Sequence, residues 1–325
     1  MREIVIGRND SGQRLDKFIT KALDLPTSLL YKSIRLKKIK VNRKRAEIGQ
    51  ILNEGDTVQC FLAPEFFARL DGDTSVDIPL DRVTPNINVI YEDGNILLVD
   101  KPQGISVHED ETNSLNTLIV HIQAYLYKKG EYDPRAEQSF APALCNRIDK
   151  NTGGIVIAAK NAQTLRIMNE KIRAREIDKR YLALIHGCPE RESDTLTGYL
   201  IKDERTNTVK VYSKNPPRGA KDIRTRYRVL KRGRSTSLIE VELLTGRTHQ
   251  IRAHMAHIGH PLVGDGKYGN IREDKQKGYK HQALYSYKLS FTFETDAGIL
   301  NYLRGREFSV DEDKIYFVKE FYKNT

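Results

Sequence analysis

The chain has 325 residues, long for one domain and comfortable for two, with 39% hydrophobic and 30% charged residues. Its net charge is +11, and residues 14–45 hold eleven Lys/Arg against two Asp/Glu, so +9 lies in about a tenth of the chain; such a concentration marks a polyanion-binding segment. No apolar run reaches the about 18 residues of a membrane span, and three scattered cysteines suit a reducing cytoplasm rather than a disulfide framework or a zinc site.

In chain order, MREIVIGRND reads as a first strand rather than a signal peptide. Leu15, Phe18, Ile19 and Leu23 recur at helical spacing, and a second helix, capped by Thr27 or Ser28, runs through Leu30 and Ile34. Ile39 and Val41 begin a short strand, and Gly55-Asp56 turns into another at 57–61. The order RLDKFI, a serine-led helix, IRLKKIKVN and LNEGDTV resembles the small RNA-binding module first seen in ribosomal protein S-four. That resemblance covers about residues 13–62 and makes Arg14, Arg35, Lys37, Lys38, Lys40, Arg43 and Lys44 candidate RNA contacts. Residues 63–85 carry five acids against two bases with no clear periodicity, and read as a linker. The expected division is therefore 1–62, linker 63–85, and 86–325.

From Ile87 the pattern changes. INVIYEDGNILLVDKP is two apolar runs around Glu92-Asp93-Gly94-Asn95, a hairpin signal. A helix is expected at about 114–129, a buried strand at 155–159, and an amphipathic helix on Leu165, Met168 and Ile172. Strands follow near 181–186, 208–213, 224–230 and 237–244, then a helix at 248–258. Strands in succession with few intervening helices predict α+β, with a mixed, largely antiparallel sheet and flanking helices, not a parallel doubly wound fold.

Three segments hold candidate chemistry. Asn146-Arg147-Ile148-Asp149-Lys150-Asn151-Thr152-Gly153-Gly154 sets an acid on a loop before a buried strand, ordinarily a turn residue. Tyr181 lies in the alternating strand KRYLALIHG, where a tyrosine ordinarily packs. In TGRTHQIRAHMAHIGHP, a helix capped by Thr248 puts Ile251, Met255 and Ile258 on one apolar face and leaves His249 and Arg252 off it. An arginine in a first helical turn gains nothing from the helix dipole, so Arg252 calls for a carboxylate or phosphate partner. His254, His257 and His260 spread around that helix with no glutamate in the segment, which disfavours a metal site.

NRIDKNTGGIVIAAK, KRYLALIHG and LLTGRTHQIRAHMAHIGHPLVGD, in that order, resemble the signature segments of RluA-type pseudouridine synthases, and YEDGNILLVDKPQGISVH resembles the family's opening segment. The likeness covers about residues 87–293. It implies that Asp149 is the catalytic aspartate, Tyr181 the active-site tyrosine and Arg252 the basic partner of Asp149. The family usually has histidine at the position of Asn146, a departure that bears on the RNA context read. The pairing with an S-four-like module implies large-subunit ribosomal RNA as substrate, with transfer RNA the alternative; it implies no particular protein partner, and the absence of a long apolar run speaks against a membrane. The reaction moves the sugar from a ring nitrogen of uracil to a ring carbon, so it needs an ionised carboxylate but neither redox cofactor, ATP nor metal. Arg147, two residues before Asp149, is a further candidate RNA contact. A catalytically dead ribosome-assembly factor and a metal-dependent nuclease are the rival readings.

Overall fold

The structure, a computed structural model, describes every residue except 24, 69, 71–78, 109–114 and 324–325. The chain divides into two compact units. The first comprises Met1–Pro85, Val120–Ala143 and Ala159–Leu165; the second comprises Asn86–Ile119, Leu144–Ala158 and Arg166–Thr325.

The chain opens with β1 (Arg2–Val5), α1 (Leu15–Ala22), α2 (Thr27–Arg35), β2 (Ile39–Val41), β3 (Lys44–Arg45) and β4 (Thr57–Cys60). These strands form a sheet in the order β1-β4-β2-β3. Leu15, Phe18, Ile19, Leu30 and Ile34 on the helices and Ile39, Val41 and Val58 on the strands close one core. The apolar stripe of each helix faces that core, which is why so short a segment holds together. α2 begins one residue earlier than a Thr27 cap allows and two earlier than a Ser28 cap allows: Pro26 occupies the N-cap and no side chain caps the helix. Proline fixes the chain's entry angle in place of the expected capping hydroxyl. Phe67, within the stretch that reads as linker, is buried in the same core, and residues 69 and 71–78 of that stretch lie outside the described residues. Within this unit Asn9 donates to Glu137, Ser139 to Asp10, and Gln138 to the Val5 carbonyl.

The chain continues through β5 (Asn88–Glu92), β6 (Ile96–Lys101), α3 (Leu118–Lys128), β7 (Ala143–Leu144), β8 (Gly153–Ala159), α4 (Ala162–Ala174), β9 (Ile177–His186) and β10 (Ser193–Asp203). Then come β11 (Thr208–Tyr212), β12 (Lys221–Arg232), β13 (Thr236–Leu243), α5 (Gln250–His257), α6 (Ile271–Gln276), β14 (Leu284–Phe291), β15 (Glu307–Ser309) and α7 (Tyr316–Lys323). The large sheet runs β11-β10-β12-β13-β9-β14-β8-β6-β5, with β15 beside β14 and β7 beside β8. The run from β11 to β14 is antiparallel throughout, and β14 meets β8 in parallel. The fold is α+β.

β8 is buried along its whole length, as its unbroken apolar run requires. Its first two residues are glycines because β14 lies against them: a Cβ on Gly154 would stand 2.2 Å from the Ser286 carbonyl oxygen, and its φ is +113°. The Gly-Gly pair is thus a close-approach device that brings the loop carrying Asp149 up to β14. Ile155 and Ile157 join Leu182, Leu184, Leu289 and Phe291 in the main core. No helix among the described residues is long and apolar enough to cross a membrane.

The elements expected from periodicity are present within a few residues of their expected ends. β7, β10, α6, β14, β15 and α7 are additions to them. The cap expected at Thr248 is absent: α5 starts at Gln250, with His249 as its N-cap in the left-handed region. Thr248 is exposed, no side chain caps the helix, and the Gln250 side chain accepts the Arg247 N–H and the Thr245 hydroxyl of the preceding turn.

Candidate active site

Asp149 sits on the loop before β8, and that loop is held from the segment after β6. The ammonium of Lys101, fully buried, donates to the carbonyls of Pro102, Ile105 and Lys150 at 2.9–3.0 Å. Gly104 N–H donates to the Lys150 carbonyl, and Gln103 to that of Asn151. Burial brings Lys101 down to about 8, against the pull of the Asp149 and Asp100 carboxylates. Asn146 turns inward: its Oδ1 accepts the Ile157 N–H at 2.8 Å, so the residue that stands for the family's histidine serves the edge of β8.

Arg252, on α5, reaches Asp149. Its Nη1 donates to Asp149 Oδ2 at 2.9 Å, while Nε and Nη2 grip Asp265 at 2.7 and 2.8 Å. The partner expected for a first-turn arginine is therefore a pair of carboxylates. Asp265 is fully buried and also accepts the N–H groups of Lys267 and Tyr268. Burial disfavours its charge, but the hydrogen bonds and charge of Arg252 outweigh burial and hold its carboxyl below the usual range. Burial likewise works against the guanidinium, and its two carboxylates more than offset that, so it stays cationic. The Asp149 side chain keeps 26% of its surface open, whereas Arg252 keeps 6%. A carboxylate gripped from behind and open in front is placed as attack on a sugar requires.

Three more groups complete the cluster. Tyr181, on β9, is buried and bonded to the Ser286 hydroxyl; burial first, then the Asp149 charge, push its phenol up to about 12. Its proton is held firmly at neutral pH. His249 faces Asp149, Nε2 to Oδ2 3.8 Å, and its Nδ1 lies 2.9 Å from the Tyr268 hydroxyl. Tyr268 also stacks its ring on the Arg252 guanidinium, 5.3 Å from the ring centre. Sequence alone does not single out Asp265, Tyr268 or Lys101. A buried acid after Val263-Gly264 is the available signal, but no spacing rule folds it back onto Arg252.

The structure brings Asp149, Tyr181 and Arg252 into one cluster. Arg147 is exposed beside them. Arg35, Lys37, Lys38, Arg43 and Lys44 are exposed on the first unit, and Lys40 lies over the Phe61 ring. Arg14, also exposed, is already paired with Asp16 at 2.9–3.0 Å. The histidines of α5 and beyond have separate partners: His254 bonds Thr225, His257 bonds Ser213, and His260 bonds the His186 carbonyl. Among the described residues no group of three His, Cys, Asp or Glu is placed to hold a metal.

Comparison with known proteins places the chain in a family. Residues 95–257 match the family model described as RNA pseudouridylate synthase. The ribosomal large subunit pseudouridine synthase C of Vibrio vulnificus (strain CMCP6) is 31% identical over 88% of this chain and 87% of its own. An uncharacterized RNA pseudouridine synthase of Mycoplasma genitalium is 32% identical over 89% and 88%. In fold, the human RNA pseudouridylate synthase domain containing 1 superposes with a TM-score of 0.55 at 21% identity, over 72% of this chain and 86% of that one. The chain belongs to the RNA pseudouridylate synthase family and is an RNA-modifying isomerase of the RluA type.

Proposed function

We propose that this protein converts uridines of large-subunit ribosomal RNA to pseudouridine in the cytoplasm, with Asp149 as the reacting carboxylate. The observation that carries the assignment is the 2.9 Å approach of Arg252 Nη1 to an Asp149 side chain left partly open. The ribosomal target rests on the relatives in Vibrio vulnificus and Haemophilus influenzae, both ribosomal large subunit pseudouridine synthases.

The target base must leave its stack, at about a few kcal/mol. Phosphate contacts from Arg35, Lys37, Lys38, Lys40, Arg43 and Lys44 offset that, with Arg14 and Arg147 as further contacts. Residues 1–62 thus serve as the RNA-binding domain, and 86–325 as the catalytic domain. Tyr181 offers its ring to the extruded base. Asp149 then acts on the sugar, either on the anomeric carbon or on the neighbouring 2′ hydrogen. Both routes need an ionised carboxylate, and Arg252 donates to that of Asp149 at 2.9 Å. The uracil turns and its ring carbon takes the sugar.

Pseudouridine mapping of ribosomal and transfer RNA from cells with and without the protein tests this. Large-subunit sites are expected to vanish without it, to return with the wild-type chain and to stay lost with Asp149→Asn. Loss confined to transfer RNA would overturn the ribosomal target, and return with Asp149→Asn would overturn the role of Asp149.

A further inference from the structure

The last step of the reaction needs a base. Once the sugar is on the ring carbon, that carbon still holds its hydrogen, and the proton must leave before the ring regains its double bond. Tyr181, the aromatic group beside Asp149, has its phenol proton held by burial and its hydroxyl engaged by Ser286. It is a poor acceptor. His249 is placed otherwise.

His249 is the N-cap of α5 at φ 53° and ψ 19°. A histidine in the left-handed region is uncommon, and such a conformation persists where the surroundings impose it, above all at active sites. Here the imposing groups are visible. The Tyr268 hydroxyl, which accepts the Val209 N–H at 2.8 Å, takes the Nδ1 edge of the ring at 2.9 Å. Nε2 is thereby aimed at Asp149, 3.8 Å away, too far for a direct hydrogen bond. The side chain is only 8% exposed. The charged and titratable groups facing it are Arg252 on its own helix, Asp149 from the loop before β8, and Asp265, Lys267 and Tyr268 from the loop before α6. Burial first, with help from Arg252 and Lys267, lowers its basicity against the pull of Asp149 and Asp265, so the ring is neutral near pH 7.

We propose that His249 is the base of the final step, taking the proton from the uracil carbon that has just received the sugar. With the ring hydrogen on Nδ1, Nε2 presents its lone pair beside Asp149. The C–H electron pair re-forms the ring double bond, and charge passes to the nitrogen that gave up the sugar. That nitrogen takes a proton back from the imidazolium, so no proton is gained or lost overall. While charged, the imidazolium lies against the Asp149 carboxylate. This inference rests on the family's reaction and on Asp149 as its reacting carboxylate.

The test is single-turnover kinetics on RNA whose target uridine carries hydrogen or deuterium at the ring carbon. Asn and Gly both tolerate positive φ, so His249→Asn and His249→Gly are expected to melt at or above the wild-type temperature. Turnover is expected to fall about a hundredfold, and deuterium is expected to slow the variants more than it slows the wild type. Tyr268→Phe, which frees the Nδ1 edge, is expected to give a smaller loss with the same isotope signature. Turnover within twofold of wild type in both His249 variants overturns the proposal. So does a fall without the larger isotope effect, or that effect in Tyr181→Phe. Retained turnover in Asp149→Asn would instead strike the underlying reading of the site.

Discussion

Arg252 spends three donors on two carboxylates, and the two differ in burial: Asp265 is sealed, Asp149 partly open. Removing charge from each therefore has different consequences. Asp149→Asn keeps volume and leaves the Arg252–Asp265 pair intact, so melting is expected to change little while turnover is lost. Asp265→Asn leaves a buried guanidinium facing an amide that cannot grip it with two acceptors, and breaking a buried pair costs about 3–5 kcal/mol. Turnover and thermal unfolding on both variants check this. Equal destabilisation by the two changes would mean that Asp149 holds the fold as much as it serves the reaction. Asp149 and Arg252 are legible in the sequence because each sits in a short motif. Asp265 and Tyr268 are not, because their meaning arises only when the chain after α5 turns back on that helix.

At the scale of elements, α5 carries Arg252 and is itself docked by buried polar contacts. His254, 1% exposed, bonds the Thr225 hydroxyl through Nδ1, and Gln250 bonds Arg224 and Thr225 on the same strand. Burial, then the neighbouring His257, bring His254 down to about 4. In the unfolded chain it titrates near 6.5. Between these values the unfolded state binds the extra proton, so the stability held above pH 6.5 is lost as pH falls towards 4. The loss is roughly 2 kcal/mol once solvent screening is allowed for. Urea melts of wild type and His254→Gln at pH 7.5, 6 and 5 are expected to converge as pH falls; parallel curves would show that His254 is not the titrating group. The helix itself is legible from Ile251 and Met255, but not its start, because a left-handed His249 stands at the N-cap and no hydroxyl caps the helix. β14 is hidden for a related reason. Its Tyr285 and Tyr287 look like surface residues, yet their hydroxyls reach Asp100 and Glu240 within the sheet, so polar letters occupy a central strand.

For the whole molecule, charge and chemistry lie apart in sequence. The +9 of residues 14–45 precedes every residue of the active-site cluster except Lys101 by more than a hundred positions. The first compact unit also takes in Val120–Ala143 and Ala159–Leu165, so cutting the chain near residue 85 would strip packing from retained segments. Charge neutralisation is the cleaner experiment. Lys37, Lys38 and Arg43 are exposed and unburdened by the core, and changing all three to Gln is expected to leave melting within a degree or two. RNA affinity is expected to fall, and the log–log salt dependence of binding to flatten by roughly one unit for each phosphate no longer neutralised. At saturating RNA the single-turnover rate is expected to match wild type, because those side chains act on association and not on the sugar. A collapsed rate at saturation with unchanged affinity and salt slope would show that this basic face works on the chemical step.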